Sequence, residues 1–355
     1  MTRVGIIGAR GVGAIHAAAL KSMPGVEVAM IAGSTKASAA ETARRLDVKR
    51  WTADAADLVT DRTIDAVHVC TPNDQHFDAV RQALAAGKHV LCEKPLALSP
   101  AQADLLAASA RHHDGVTAVA YNYRYSALVP RLRQLVTDGR LGAIHTIRAS
   151  YLQSWGLDRT HSWRSDPARG GCSRVLSDIG VHLLDLVEFV GGTRFEALHT
   201  TFTALGGLGP GSDDVAMATA QSTDGIGLSF LASQIAAGRS NSLSVAVDGR
   251  SGSAEWSMAD SEVVTLTDAS AVSGLRTDVH APASVAGEFW RTEPSADRAR
   301  RALFTDFYTA IATGNRPPRL PTFADGARHV RLVADASEAL TTQFPGGNDD
   351  SALSA

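Results

Sequence analysis

Cysteine is scarce in this chain of 355 residues. Cys70, Cys92 and Cys172 form an odd set with no C-x-x-C pair, which argues against a disulfide framework and a cysteine-based zinc site. No metal ligand set is read from the sequence. Reduced thiols suit a cytoplasmic protein, and that localisation is the expectation. Excess charge is also lacking. The formal net charge is −3, whereas a phosphate backbone calls for clustered Lys and Arg. Arg298, Arg300 and Arg301 do cluster, but Asp297 and apolar residues interleave them, as on a solvated helix face. Nucleic acid is therefore not an expected partner. No apolar run is long enough to span a bilayer, and no basic segment with a cleavage site precedes the apolar run at Val4. Neither membrane insertion nor export is expected.

What is present is an ordinary globular composition with length for about two domains. Short apolar runs at 4–7, 26–32, 64–70, 90–92 and 116–120 read as strands. Helical stretches at 13–22, 37–46 and 77–86, and a helix opening at Ser99-Pro100, alternate with them. Gly87 suits a C-cap, and serine followed by proline suits a helix start. Strand-helix alternation predicts a parallel sheet covered on both faces. Beyond residue 122 the texture changes. Helices are expected at 126–137 and 175–190, then strand-like runs at 195–204, 213–222, 226–235, 241–248, 253–258 and 262–267, and closing helices at 298–312 and 323–341. This predicts an α/β N-terminal domain over 1–121 and an α+β domain with a mostly antiparallel sheet over 122–345. The small, polar residues 346–355 read as a disordered tail.

Between the first strand and the first helix lies Gly8-Ala9-Arg10-Gly11-Val12-Gly13. This is the context a dinucleotide fingerprint requires: Gly8 for the tight turn, free helix N–H groups for a pyrophosphate, Gly13 for close helix–sheet packing. Arg10 stands where the fingerprint has its second glycine. The alternative is a tight turn with no ligand. The second strand ends in Gly33-Ser34-Thr35-Lys36, without the acidic residue that holds the ribose hydroxyls of NAD about twenty positions on. Ser34, Thr35, Lys36 and Arg10 suit a 2′-phosphate, so NADP is the expected cofactor ahead of NAD. The alternative is a solvated Lys36.

The stretch Gly87-Lys88-His89-Val90-Leu91-Cys92-Glu93-Lys94-Pro95, with Thr71-Pro72-Asn73 and His76 upstream, resembles the Gfo/Idh/MocA family of oxidoreductases. Further matches are Asn122 to Arg124, Trp163-Arg164, and Asp178-Ile179-Gly180-Val181-His182 within Gly170-Gly171 to Gly191. The resemblance implies a doubly wound Rossmann domain followed by a domain built on a large open sheet, whose free face often mediates oligomerisation. A homodimer or homotetramer is the expected assembly. It implies hydride transfer between nicotinamide and a secondary alcohol or ketone of a sugar, sugar derivative or cyclic polyol. Lys94, His182 and Asp178 are the implied catalytic residues. Thr71, Pro72, Asn73, His76, Glu93, Lys94, Trp163 and Arg164 join the glycine loop at the cofactor, and Asn122 and Arg124 join Lys94, Asp178 and His182 at the substrate. The glucose–fructose branch has tyrosine at the position of His182, so its dismutation is not carried over. The alternatives are a cofactor-bound sensor without activity and an NAD-dependent glycosidase.

The residues themselves support these roles. Lys94 follows a strand end, where open α/β sheets bind ligands, and its ammonium suits a developing alkoxide. Imidazole titrates near working pH, as an acid/base group must. The helix around 178–190 leaves little polar surface, yet Asp178, His182 and Asp185 recur at helical spacing on one face, a polar stripe that calls for partners. The spacing suggests that Asp185 orients the imidazole. The loop at 152–174, with Trp155, Asp158, Arg159, His161 and Trp163, is expected to shape specificity.

Overall fold

The computed structural model describes residues 1–158, 162–205, 212–268, 276–280 and 295–343; Arg159, His161 and the expected tail at 346–355 lie outside them. The chain divides into two compact units. The first comprises Met1–Asn122 with Ala296–Val330, and the second Tyr123–Ser295 with Arg331–Ala355.

The first unit alternates strands and helices: β1 (Thr2–Ile7), α1 (Val12–Lys21), β2 (Val26–Ala32), α2 (Lys36–Arg45), β3 (Trp51–Thr52), α3 (Ala55–Thr60), β4 (Ala66–Val69), α4 (His76–Ala85), β5 (His89–Cys92), α5 (Pro100–Arg111) and β6 (Thr117–Val119). All six strands are parallel, in the order β3-β2-β1-β4-β5-β6. This is the doubly wound dinucleotide-binding arrangement. The central strands are near-continuous apolar runs because both faces are buried; β4 is buried throughout. Ser99 caps α5 through Gln102 N–H, with Pro100 at the first helical position, as the sequence predicts. Gly87 adopts φ 74° after α4. β3 and α3, of two and six residues, are too short to show a period and were not expected.

The second unit contains α6 (Val129–Thr137), β7 (Ile144–Leu152), α7 (Pro167–Gly170), α8 (Val181–Gly191), β8 (His199–Thr203), β9 (Val215–Gln221), β10 (Gly227–Ser233), β11 (Ser242–Gly249), β12 (Gly252–Ser257), β13 (Asp260–Asp268) and β14 (Arg276–His280). The eight strands form one sheet ordered β14-β13-β12-β11-β7-β10-β9-β8, antiparallel except for β7 with β10. Alternation along β9 buries Ala216, Ala218 and Ala220 and exposes Met217, Thr219 and Gln221, so one face packs and the other meets solvent. Helices α6 and α8 cover the packed face. β7, inside the sheet, was not expected. Its inward residues Ile147, Ala149 and Tyr151 alternate with Arg148 and Ser150, and the polar half obscures the strand. β14 was also missed.

Two helices follow, α9 (Ser295–Thr313) and α10 (Phe323–Gln343). The single span of 122–345 expected for the second domain needs correction, because residues 296–330 pack with the first unit. The cause is aromatic: Phe304, Phe307 and Tyr308 of α9 pack against His68 of β4.

Candidate active site

In the first unit the glycine loop is shaped by close contacts. Gly8 adopts φ 106°, and a Cβ there would strike the Cys70 carbonyl. A Cβ on Gly13 would collide with the carbonyl of Gly8, so helix and turn meet at a distance only glycine allows. Gly11 caps α1 without a side chain, and the first turn holds no acidic residue. The helix N–H groups after Arg10, Gly11 and Val12 are therefore not capped by a side chain, and the dipole there favours an anion. These residues fit a dinucleotide pyrophosphate. The loop is further tied by the Thr42 hydroxyl, which donates to the Ala9 carbonyl at 2.9 Å, a contact the sequence did not reveal.

The end of β2 carries no carboxylate. Ser34, Thr35 and Lys36 are exposed, as is Arg10. Thr35 also caps α2, accepting from Ser38 N–H at 3.1 Å while Ser38 Oγ accepts from Thr35 N–H at 3.3 Å. The hydroxyl is thus already engaged in the helix cap.

Thr71 and Pro72 follow β4, and Asn73 is buried in the short turn before α4. The Thr71 hydroxyl is buried with no hydrogen-bond partner among the described residues, which leaves it available to a bound group. His76 is fully buried, its ring spanning the carbonyls of Thr71 (2.9 Å) and Pro95 (2.7 Å). Burial lowers its pKa, against the two carbonyls, so its place is structural: it joins the 71 turn to the 95 turn. Lys94 is half-buried just past β5, and the Lys94–Pro95 bond is cis. Its N–H donates to Glu93 Oε2 at 3.3 Å. Asn122 is buried at the end of the first segment of this unit.

In the second unit Asp178 lies in a π-helical turn, Leu176–Gly180, that runs into α8. Such widened turns recur at functional sites. Asp178 Oδ2 accepts from Gln234 Nε2 at 2.8 Å, and Arg164 Nε stands 3.5 Å from Oδ1. The Arg164 guanidinium also covers the Trp163 ring at 4.4 Å. His182, in the first turn of α8, is 8% exposed, with the rings of Tyr123 and Tyr151 at 4.7 and 6.2 Å. The two phenols share a hydrogen bond of 2.6 Å, and Tyr151 donates to Asn241 Oδ1 at 2.6 Å. Burial, with Tyr123 and Asp178 nearby, pushes the Tyr151 phenol well up, so it stays protonated.

Two expectations change here. Arg124, expected at the substrate, is committed to Asp185: its Nε lies 2.9 and 2.8 Å from the two carboxylate oxygens and its Nη2 2.6 Å from Oδ1. Asp185, expected to orient the imidazole, is therefore the anion of a buried ion pair. Tyr123 lies within the Asn122–Arg124 match, whereas Gln234, Tyr151 and Asn241 were not singled out. Tyr151 stands near the His182 ring, Asn241 meets the Tyr151 hydroxyl and Gln234 meets Asp178, each from a distant strand or turn that no local spacing marks. The helix start is anchored likewise: Asp213 accepts from Arg174 N–H (2.7 Å), Val175 N–H (3.2 Å) and the Ser173 hydroxyl (2.7 Å).

The comparisons agree with this construction. Residues 2–121 match the model of an oxidoreductase family with an NAD-binding Rossmann fold, GFO_IDH_MocA, and residues 129–255 match the GFO/IDH/MocA C-terminal domain. A levoglucosan dehydrogenase of Pseudarthrobacter phenanthrenivorans is 30% identical over 372 residues, covering 94% of each chain. The D-glucoside 3-dehydrogenase of Escherichia coli is 33% identical over 192 residues, 54% of each. Among solved structures, a levoglucosan dehydrogenase in complex with NADH and levoglucosan superposes with a TM-score of 0.88 at 26% identity, covering 97% of this chain and 100% of that one. An oxidoreductase domain protein from Kribbella flavida gives 0.86 at 28% identity, with 98% and 100% covered. With both domain models matched and a relative aligned almost end to end, the chain belongs to the Gfo/Idh/MocA family and is an NAD(P)-dependent oxidoreductase.

Proposed function

We propose that the protein oxidises or reduces a secondary carbinol carbon of a sugar, sugar derivative or cyclic polyol. The nicotinamide, when bound, supplies the hydride acceptor or donor. In oxidation, His182 takes the hydroxyl proton, the Lys94 ammonium stabilises the developing alkoxide, and Asp178 holds the neighbouring hydroxyl. The observation that carries this reading is the glycine turn with its uncapped α1, on the same sheet edge as Lys94. Relatives named as dehydrogenases of levoglucosan and D-glucosides support the substrate class.

NADP is the preferred cofactor in this proposal. The support is the missing carboxylate after β2 and the exposed Ser34, Lys36 and Arg10. The competing reading is NAD, the cofactor in the solved levoglucosan dehydrogenase complexes. Trp163 and Arg164 are proposed at the cofactor, and a second copy of the chain as the protein partner, in a dimer or tetramer measurable by light scattering. No helix among the described residues is long and apolar enough to cross a membrane.

The decisive experiment is a panel of sugars and polyols followed at the nicotinamide absorbance with NAD and with NADP. Turnover of at least one panel member is expected, with higher kcat/KM for NADP. Cofactor binding without turnover anywhere in the panel would refute the enzyme reading, and a clear preference for NAD would refute the cofactor choice.

A further inference from the structure

The first unit buries a polar chain that the reaction above does not employ. Tyr308 OH on α9 lies 2.8 Å from His68 Nε2 on β4. His68 Nδ1 lies 3.0 Å from His16 Nδ1 on α1, and His16 Nε2 lies 3.0 Å from Glu93 Oε1. Both imidazoles are fully buried. Phe304 closes over them, its ring centroid 4.7 Å from His16 and 5.0 Å from His68. A buried polar group is costly unless bonded, and here the bonds run in series.

Chemistry sets the direction of the chain. An ionised carboxylate only accepts, so His16 Nε2 carries the hydrogen that meets Glu93. In that neutral tautomer His16 Nδ1 accepts, so His68 Nδ1 donates to it. His68 Nε2 then accepts, and Tyr308 O–H donates. The Cys70 thiol, 3.3 Å from His16 Nδ1, faces the same acceptor. Burial lowers the pKa of both histidines, which keeps them neutral as this order requires. Burial by itself would raise Glu93, but the bond from His16, with the charges of Lys94 and Arg300 acting in the same direction, leaves the carboxyl ionised. Each dipole therefore points at Glu93. The other carboxylate oxygen of Glu93 holds the N–H of Lys94, while His76 meets the carbonyl of Pro95. The main chain is pinned on both sides of the lysine.

We propose that His16, His68 and Tyr308 are positioning residues for Lys94: through Glu93 they hold the backbone from which the ammonium projects. This rests on the catalytic role assigned to Lys94 above.

The test joins a spectroscopic and a kinetic measurement on the full chain. Long-range proton–nitrogen correlation of histidine-labelled protein, assigned with His16→Gln and His68→Gln, should show His16 as the Nε2–H tautomer and His68 as the Nδ1–H tautomer. With the panel's fastest substrate, His16→Leu should lower kcat by about 10²-fold, the scale of a small misplacement of a reacting group. His16→Gln keeps a donor toward Glu93 and should recover most of that loss. Tyr308→Phe should lower kcat several-fold, with KM and the NADPH dissociation constant unchanged. If His16→Leu does not fold, His16→Gln and Tyr308→Phe carry the kinetic arm. Reversed tautomers, or wild-type kcat in both His16→Leu and Tyr308→Phe, would overturn the inference. Slow Lys94→Ala beside normal relay variants would remove only this inference, whereas full turnover in Lys94→Ala would remove the reading beneath it.

Discussion

The Lys94 turn in the first unit and the Asp178–Asp185 stretch in the second hold their carboxylates by opposite means. Glu93 is met by a neutral imidazole and a backbone N–H. Asp185 is met by a guanidinium, with side-chain exposures of 2% and 9% for acid and base. The first arrangement satisfies the carboxylate's lone pairs and leaves its charge in place. The second cancels the charge within the pair. Asp178 resembles Glu93 in this respect: its short bond comes from the neutral amide of Gln234, and Arg164, its charged neighbour, is 3.5 Å away and 41% exposed. A carboxylate held by neutral donors keeps a field that can act on a neighbour, whereas one cancelled by buried arginine is part of the scaffold.

Substitutions at the two kinds of position should separate along that line. The largest effect is expected at the acting groups: His182→Ala and Lys94→Ala each lower kcat by about 10²- to 10⁴-fold, with the thermal midpoint near that of the wild type. A variant that loses stability but not turnover would break the comparison. Next is Arg124→Ala, which strands Asp185 in the core and should cost about 3–5 kcal/mol of stability by denaturant titration. Asp178→Asn should cost much less stability and more turnover. Gln234→Leu removes the neutral donor to Asp178, and roughly tenfold in kcat is expected with little change in NADPH affinity.

The smallest effect is on pH dependence. His16 and His68 have lowered folded pKa values, so their stabilising contribution is complete above the ordinary imidazole midpoint and is lost as pH falls below 6.5. Glu93, lowered as well, contributes above 4.5 and loses that contribution between 4.5 and about 2. All three act with one sign. The thermal midpoint should fall from pH 7 to pH 5, and His68→Gln should flatten the slope. An unchanged slope in that variant would show that the buried imidazole does not carry it.

The same contrast decides what could be read from the sequence. Gly8 to Gly13 and Glu93 to Pro95 are contiguous, and each announces its conformation locally. The parallel strands announce themselves because burial on both faces makes them mostly apolar, with His68 of β4 a buried exception. The partners that position the site do not. His16 lies 77 residues from Glu93, Gln234 lies 56 from Asp178, and Arg124 lies 61 from Asp185. A helical period placed Asp185 near His182, but the period is silent about the arginine that claims it. β7 was missed for a related reason: its membership in the sheet is settled by β10 and β11, which come later in the chain.

The return of α9 to the nucleotide-binding unit bears on how the protein is made. During synthesis, residues 1–122 leave the ribosome long before Phe304 and Tyr308 exist, so His68 spends that interval without its aromatic cover or its hydroxyl partner. A fragment ending near residue 122 would keep that vulnerable surface permanently. The N-terminal unit is thus finished by a late segment, and engineered truncations or domain transplants should carry residues 296–330 with it.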